Sequence, residues 1–217
     1  MYQLDIAAQV DRGLVRETNQ DVARIAPQLG LVVVADGMGG HERGDVASGI
    51  AAEAVLAVFE RLGGVNANAE ETVRRLVSAF QEANANVRGQ PNSNSSVRMG
   101  TTLVAAALGH GHAVVAHVGD SRCYLVRNRA AECLTHDHSY AAELRRQGLD
   151  GTPELRAAAE QYQNVLTRCI GGADEVVVDA KVVRLQAGDA LVLCSDGLWG
   201  GVAPDGIERV VAAASSA

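Results

Sequence analysis

The chain has 217 residues, 47% hydrophobic and 21% charged, a globular composition long enough to bury a substantial core. Its formal net charge of −7 argues against a nucleic acid or an anionic membrane surface as partner. No apolar run approaches the ~20 residues that span a bilayer. The opening stretch MYQLDIAAQVDRG lacks the basic and apolar regions of a signal peptide. Cys123, Cys133, Cys169 and Cys194 form no CxxC pair, so reduced packing thiols in a cytoplasmic protein are expected.

Residues 1–10 alternate loosely and suggest an edge strand. Polar residues then crowd from Asp11 to Asp21 after a glycine turn. Arg16 is suited to hold a phosphate, since a guanidinium pairs bidentately with phosphate oxygens. Asp21 offers a carboxylate, although a solvated charged loop is the plainer account of this stretch. Residues 31–35 (LVVVA) predict a short buried strand. It runs into Asp36-Gly37-Met38-Gly39-Gly40, where the glycines let the main chain approach a ligand closely. An acid delivered by a strand into such a loop suits a metal or phosphate site; taken alone, an Asx turn explains it better.

Residues 45–62 predict an amphipathic helix with a stripe of Val46, Ile50, Ala51, Ala54, Val55, Val58 and Leu62, stopped by Gly63-Gly64. Asn68 caps a second helix, with Glu71 at the capping-box position and a stripe of Val73, Leu76, Val77, Phe80 and Val87. A polar loop follows at 89–96. Residues 100–108 and 113–118 predict two strands joined by a turn at 109–112, which accounts for His110 and His112. The second of these strands ends in Gly119-Asp120. Residues 123–127 predict another strand, with a turn at Asn128-Arg129. LTHDHS at 134–139 leads into a helix reaching about Gln147; His136 and His138 could serve as ligands or bases, and exposed histidines at a capped helix start explain them as well. Thr152-Pro153 opens a further helix. Residues 176–185 alternate as a strand. Residues 190–194 form a third apolar strand, which ends in Ser195-Asp196-Gly197 with Trp199 closing the turn. Residues 205–217 read as a last amphipathic helix. Short gaps between strands imply antiparallel sheets rather than βαβ units.

The same design, an apolar strand delivering an aspartate beside glycine, therefore occurs three times. Strand ends that converge on one sheet edge would gather Asp36, Asp120 and Asp196. Clustered carboxylates repel one another unless a cation lies between them. An all-oxygen set favours a hard ion, Mg²⁺ or Mn²⁺.

Taken together, these residues resemble the bacterial form of the metal-dependent protein phosphatases of the PP2C (PPM) family. The matching motifs are Gly13-x-Val15-Arg16-x-x-Asn19-Gln20-Asp21, Asp36-Gly37-Met38-Gly39-Gly40-His41, Gly100-Thr101-Thr102, Val118-Gly119-Asp120-Ser121-Arg122, Leu134-Thr135-x-Asp137-His138-Ser139, Asn164-Val165-Leu166-Thr167-Arg168 and Ser195-Asp196-Gly197-Leu198. They stand in the family's order over roughly residues 10–200. The resemblance implies an α+β fold: a four-layer αββα sandwich of two antiparallel sheets flanked by helix pairs. It implies one domain over 1–217, C-terminally incomplete, with a flap at 137–163 beside the site. It also implies two Mn²⁺ or Mg²⁺ ions held by Asp21, Asp36, the Gly37 carbonyl and Asp196, and a third ion held by Asp120 with Asp196. Asp36 would bridge the pair and Arg16 would grip the substrate phosphate. The reaction implied is hydrolysis of phosphoserine and phosphothreonine by a metal-activated water, without a phosphoenzyme. Met38 stands where animal and plant relatives have a histidine, so His41 is the nearest candidate to protonate the leaving oxygen, a role a metal-bound water could equally fill. The implied partners are phosphoproteins, among them a Ser/Thr kinase and its targets, and the implied state is a monomer.

The family's closing strand with Asp-Asn is not found within these 217 residues, so either the chain is a truncated form or it lacks that ligand and strand; weaker binding of one ion and an exposed sheet edge are expected of this length. That leaves a catalytically impaired phosphoprotein-binding module as the competing reading; the clustered acids argue against it. A different two-metal phosphoesterase would want histidines near the acids. Only His41 and His117 come close, and His117 reads as a packed core residue.

Overall fold

Apolar strands pair into two antiparallel sheets that stack face to face in the computed structural model, which describes residues 4–38, 43–91, 99–149, 151–162 and 164–214. The larger sheet contains β1 (Asp21–Ala26), β2 (Leu31–Met38), β3 (Gly100–Thr101), β4 (Leu103–Gly109), β5 (His112–Val118) and β8 (Asp179–Arg184). Its order is β1-β2-β4-β5-β8, with β3 paired to β2. The smaller sheet holds β6 (Arg122–Arg127) between β7 (Ala130–Cys133) and β9 (Ala190–Cys194). The helices are α1 (Gly44–Arg61), α2 (Ala69–Arg88), α3 (Tyr140–Arg146), α4 (Pro153–Gln161), the single turn α5 (Asp196–Trp199) and α6 (Pro204–Ala214).

The layers follow from the alternation. Leu31, Val33 and Ala35 of β2 pack with Val55 and Phe59 of α1 and Leu76 and Phe80 of α2 in the main core. Val34, on the opposite face, joins Val104, Ala106 and Val115 against Cys123 and Leu125 of the smaller sheet. β4 is buried on both faces, which is why it reads as an unbroken apolar run. Ile207 of α6 closes the far side of the smaller sheet on Tyr124 and Cys194. The expected α+β sandwich of two antiparallel sheets is the observed architecture.

Several elements differ in detail. Residues 4–10 form no strand; Leu4 and Val10 stay about half exposed, too little burial to offset the cost of ordering the chain. The helix-1 stripe is shifted. Val46 and Leu62 are exposed, while Ala47, Ala51, Ala52, Val55, Val58 and Phe59 are buried, the alanines letting α1 lie close to its neighbours. The capping box at Asn68 is half made. Its side chain accepts from the Glu70 and Glu71 amides, but Glu71 pairs with Arg74 and Arg75, and the Asn68 amide goes to Asn66 instead. The predicted strand at 100–108 breaks at Thr102, and the one at 176–185 begins only at Asp179. All four cysteines are free thiols.

Candidate active site

Asp36 lies within β2 rather than after it. The β1–β2 register sets Asp21 directly opposite Asp36, so both carboxylates lie on the face turned towards the smaller sheet. The Asp36 main chain is held on both sides. Its amide donates to Thr102 Oγ1 at 3.0 Å, and its carbonyl accepts from Thr101 Oγ1 and the Thr102 amide, each at 2.9 Å. Gly37 can be nothing larger: a Cβ there would come within 1.9 Å of the Gly44 carbonyl at the start of α1.

Asp120 arrives from the end of β5 through Gly119, whose φ of +101° favours glycine. Asp120 is buried, and its neighbour Ser121 bonds Thr102 Oγ1 at 2.7 Å. Asp196 comes from the other sheet, at the start of α5 beyond β9, and is exposed. Ser195 Oγ donates to Asp21 Oδ2 at 2.6 Å, tying the two sheets together at the site. Arg122 forks onto Asp137 at 2.9 and 2.6 Å and stacks over the Trp199 ring at 3.8 Å. Neither the Ser195 bond nor the Arg122 stack had a signal in the sequence, because each joins residues far apart in the chain.

The charges confirm that the four acids share one field. Burial, then the charges of Asp21, Asp196 and Asp120, push the Asp36 carboxyl up to about 8. Burial and Asp196 raise Asp120 to about 6. An all-oxygen set of mutually repelling carboxylates fits hard divalent cations. Among the described residues, only His117, His138 and Asp179 put three potential ligand atoms within 4.8 Å of one another, and the four carboxylates are spread more widely.

Arg12, Arg16, Asn19, Asp21, Asp36, Gly37 and Asp196 line one open cleft of about 630 Å³. The sequence-predicted Arg16, Asp21, Asp36, Gly37 and Asp196 thus come together, with Asp120 behind them. His41 lies outside the described residues. His136 is exposed, but His138 is buried at 6% exposure, held by groups distant in sequence. His117 is a packed core residue, as its strand suggested.

A family profile described as Protein phosphatase 2C matches residues 14–214, nearly the whole chain. This chain belongs to the protein phosphatase 2C family. It is 38% identical over 207 residues to the serine/threonine phosphatase stp of Listeria monocytogenes, covering 94% of this chain and 81% of that protein. It is 36% identical over 214 residues to the protein phosphatase PhpP of Streptococcus pneumoniae, covering 96% and 84%. The serine/threonine phosphatase of S. agalactiae superposes with a TM-score of 0.79 at 32% identity, covering 93% of this chain and 83% of that one. The catalytic domain of PstP, solved with two manganese ions, superposes with a TM-score of 0.72 at 32% identity, covering 94% and 82%. As a member of the protein phosphatase 2C family the chain is a hydrolase of the serine/threonine phosphatase class, and nothing among these relatives favours the binding-only alternative. No helix among the described residues is long and apolar enough to cross a membrane.

Proposed function

We propose that this phosphatase hydrolyses phosphoserine and phosphothreonine on proteins in the cleft floored by Asp36. The observation that carries this reading is the convergence of Asp21, Asp36, Asp120 and Asp196 from two sheets, with Arg16 on the wall of the same cleft. Asp36 and Asp21, with the Gly37 carbonyl and Asp196, would hold two divalent ions, Mn²⁺ or Mg²⁺; Asp120 with Asp196 would serve a third. When bound, such ions supply a nucleophilic water at neutral pH and neutralise charge on the phosphoryl group.

The chain's own groups do the rest. Arg16 pairs with the phosphoryl oxygens and orients phosphorus towards the acids. Its positive charge offsets the negative charge that builds on those oxygens as the bond to the leaving group breaks. The acids keep the floor of the cleft anionic, so a phosphate is attracted only when cations are present; without them Asp36 holds a proton instead. Thr101 and Thr102 fix the Asp36 backbone and hence the direction of its carboxylate. His41 remains the proposed proton donor to the leaving oxygen. The chain forms one domain, and residues 137–163, which carry α3 and α4, act as a flap beside the cleft. Substrates include a Ser/Thr kinase and its targets, the protein acts as a monomer, and four free thiols suit a reducing cytoplasm.

The deciding experiment is hydrolysis of a phosphothreonine peptide and of p-nitrophenyl phosphate with EDTA, Mg²⁺ or Mn²⁺, beside Asp36→Asn. Turnover that requires the metal and vanishes in the variant is expected. Equal turnover in EDTA, or none from folded protein with any metal, would overturn the proposal.

A further inference from the structure

His138 belongs to none of the functions assigned above, yet it is one of the most tightly held polar side chains in the molecule. Its ring Nδ1 accepts the Gly119 amide at 3.2 Å, and its own amide donates to the Gly119 carbonyl at 3.0 Å. Gly119 is thus gripped from both sides by one residue, at the turn that delivers Asp120. Because Nδ1 accepts, the neutral ring carries its proton on Nε2, which faces Asp179 Oδ2 at 3.2 Å. Arg168 donates to the other Asp179 oxygen at 2.9 Å and lies 3.2 Å from the same ring nitrogen. The His138 carbonyl accepts the Thr167 amide at 2.8 Å, and Ser139 bridges Leu166, so the two stems enclosing α3 and α4 are joined at this point. His117 stacks beneath, with ring centroids 4.7 Å apart and planes 19° from parallel.

This cluster is not a metal site. Stacked, nearly parallel imidazoles direct their in-plane lone pairs alongside one another rather than at a common point. His138 Nδ1 is taken by Gly119, its Nε2 by Asp179, and His117 Nε2 meets the His136 carbonyl at 2.8 Å. The guanidinium of Arg168 already supplies the positive charge.

We propose that His138 is a positioning residue that locks the Gly119–Asp120 turn to both stems of the 137–163 segment, so that the placement of Asp120 and the seating of α3 and α4 are set together. The proposal rests on the phosphatase reading for its consequence in catalysis, not for the lock itself. Burial, reinforced by its neighbour His117, holds the ring's pKa down at about 4, which keeps Nδ1 free to accept across the working range.

Three variants test it. In His138→Asn the side-chain oxygen replaces Nδ1 towards Gly119; His138→Gln reaches the Nε2 position but not Nδ1; His138→Ala does neither. Mn²⁺ binding is measured by calorimetry without substrate, trypsin cleavage at Arg145, Arg146 and Arg156 reports the seating of the segment, and thermal melting reports folding. In the alanine and glutamine variants the weakest-bound Mn²⁺ is expected to lose about tenfold in affinity, the usual consequence of removing a group that orients a ligand. The tighter ions stay within about twofold, and cleavage accelerates about tenfold. The asparagine variant restores Mn²⁺ binding to within about twofold of wild type. Equal Mn²⁺ binding and cleavage in all four folded proteins would overturn the proposal, as would equal losses in all three variants without rescue by asparagine. If wild type binds Mn²⁺ but turns over no phosphopeptide, the phosphatase reading fails while these binding and cleavage measurements still decide the lock.

Discussion

Replacing Asp36 by asparagine separates the electrostatic load of the acid cluster from its use. Without metal the Asp36 carboxyl titrates at about 8, against 3.8 for an unperturbed aspartate. The folded protein therefore holds a proton that the unfolded chain has released. Stability contributed at this site falls as pH climbs from about 4 towards about 8 and levels off above it. At ~1.4 kcal/mol per pH unit the whole interval is worth at most ~6 kcal/mol. Asp36 is only partly buried and the acids adjust together, so ~1–3 kcal/mol is the recoverable share. Asparagine keeps the shape and removes the charge. At ~2–4 °C per kcal/mol for a chain this size, Asp36→Asn should melt about 3–10 °C above wild type in EDTA at about pH 8. The gain should shrink towards zero near pH ~4, where the unfolded aspartate is itself protonated. Scanning fluorimetry in EDTA across that range measures this, and added Mn²⁺ should stabilise wild type far more than the variant. A variant no more stable than wild type in EDTA, or a gain that does not change with pH, would refute the claim that burial and repulsion load this cluster.

Arg16→Ala should raise KM for a phosphopeptide about tenfold or more while leaving the melting temperature nearly unchanged, because the side chain is exposed; Arg16→Lys should fall between, keeping charge but losing the fork. Thr102→Val removes the acceptor for the Asp36 amide and the partner of Ser121, and urea titration should show a loss of ~1–3 kcal/mol with a fall in kcat. Asn84→Leu leaves the Gly171 amide and the Ala173 and Asp174 carbonyls without their side-chain partner; ~1–3 kcal/mol should be lost with Mn²⁺ binding intact in calorimetry. Mn²⁺ affinity should rise between about pH 6 and about pH 8, since the ion displaces the proton on Asp36; calorimetry in buffers of different ionisation heat counts that proton.

The strands that deliver Asp36, Asp120 and Asp196 were legible because a run of β-branched and apolar residues ending in Gly or Asp is a local pattern. The face on which Asp36 lies was not. It depends on the pairing of β1 with β2, and a slip of one residue would turn Asp21 away from Asp36. The extra length of β2, through Gly37 to Met38, was hidden for a related reason: glycine discourages a strand locally, and the extension comes from pairing Gly37 with Thr101 and Met38 with Gly100 of β3. Between the two readings open for His138 the sequence could not choose, because LTHDHS is polar and the burial comes from Gly119, Arg168 and Asp179.

A physical division runs through these cases. Groups that would touch metal or phosphate are carried by short motifs, since a strand end and its turn can be specified by neighbouring residues. Groups that aim them act across the chain: Thr102 reaches Asp36 over 66 residues and Ser195 reaches Asp21 over 174. A hydroxyl at such a position has no local role to betray it, and only the stacking of the two sheets gives it one. The same argument explains why Ser195 matters although it neither opens the cleft nor caps α5 through its side chain. It is the direct side-chain bond from the smaller sheet to the acids of the larger one, and its loss should loosen Asp21 without unfolding either sheet.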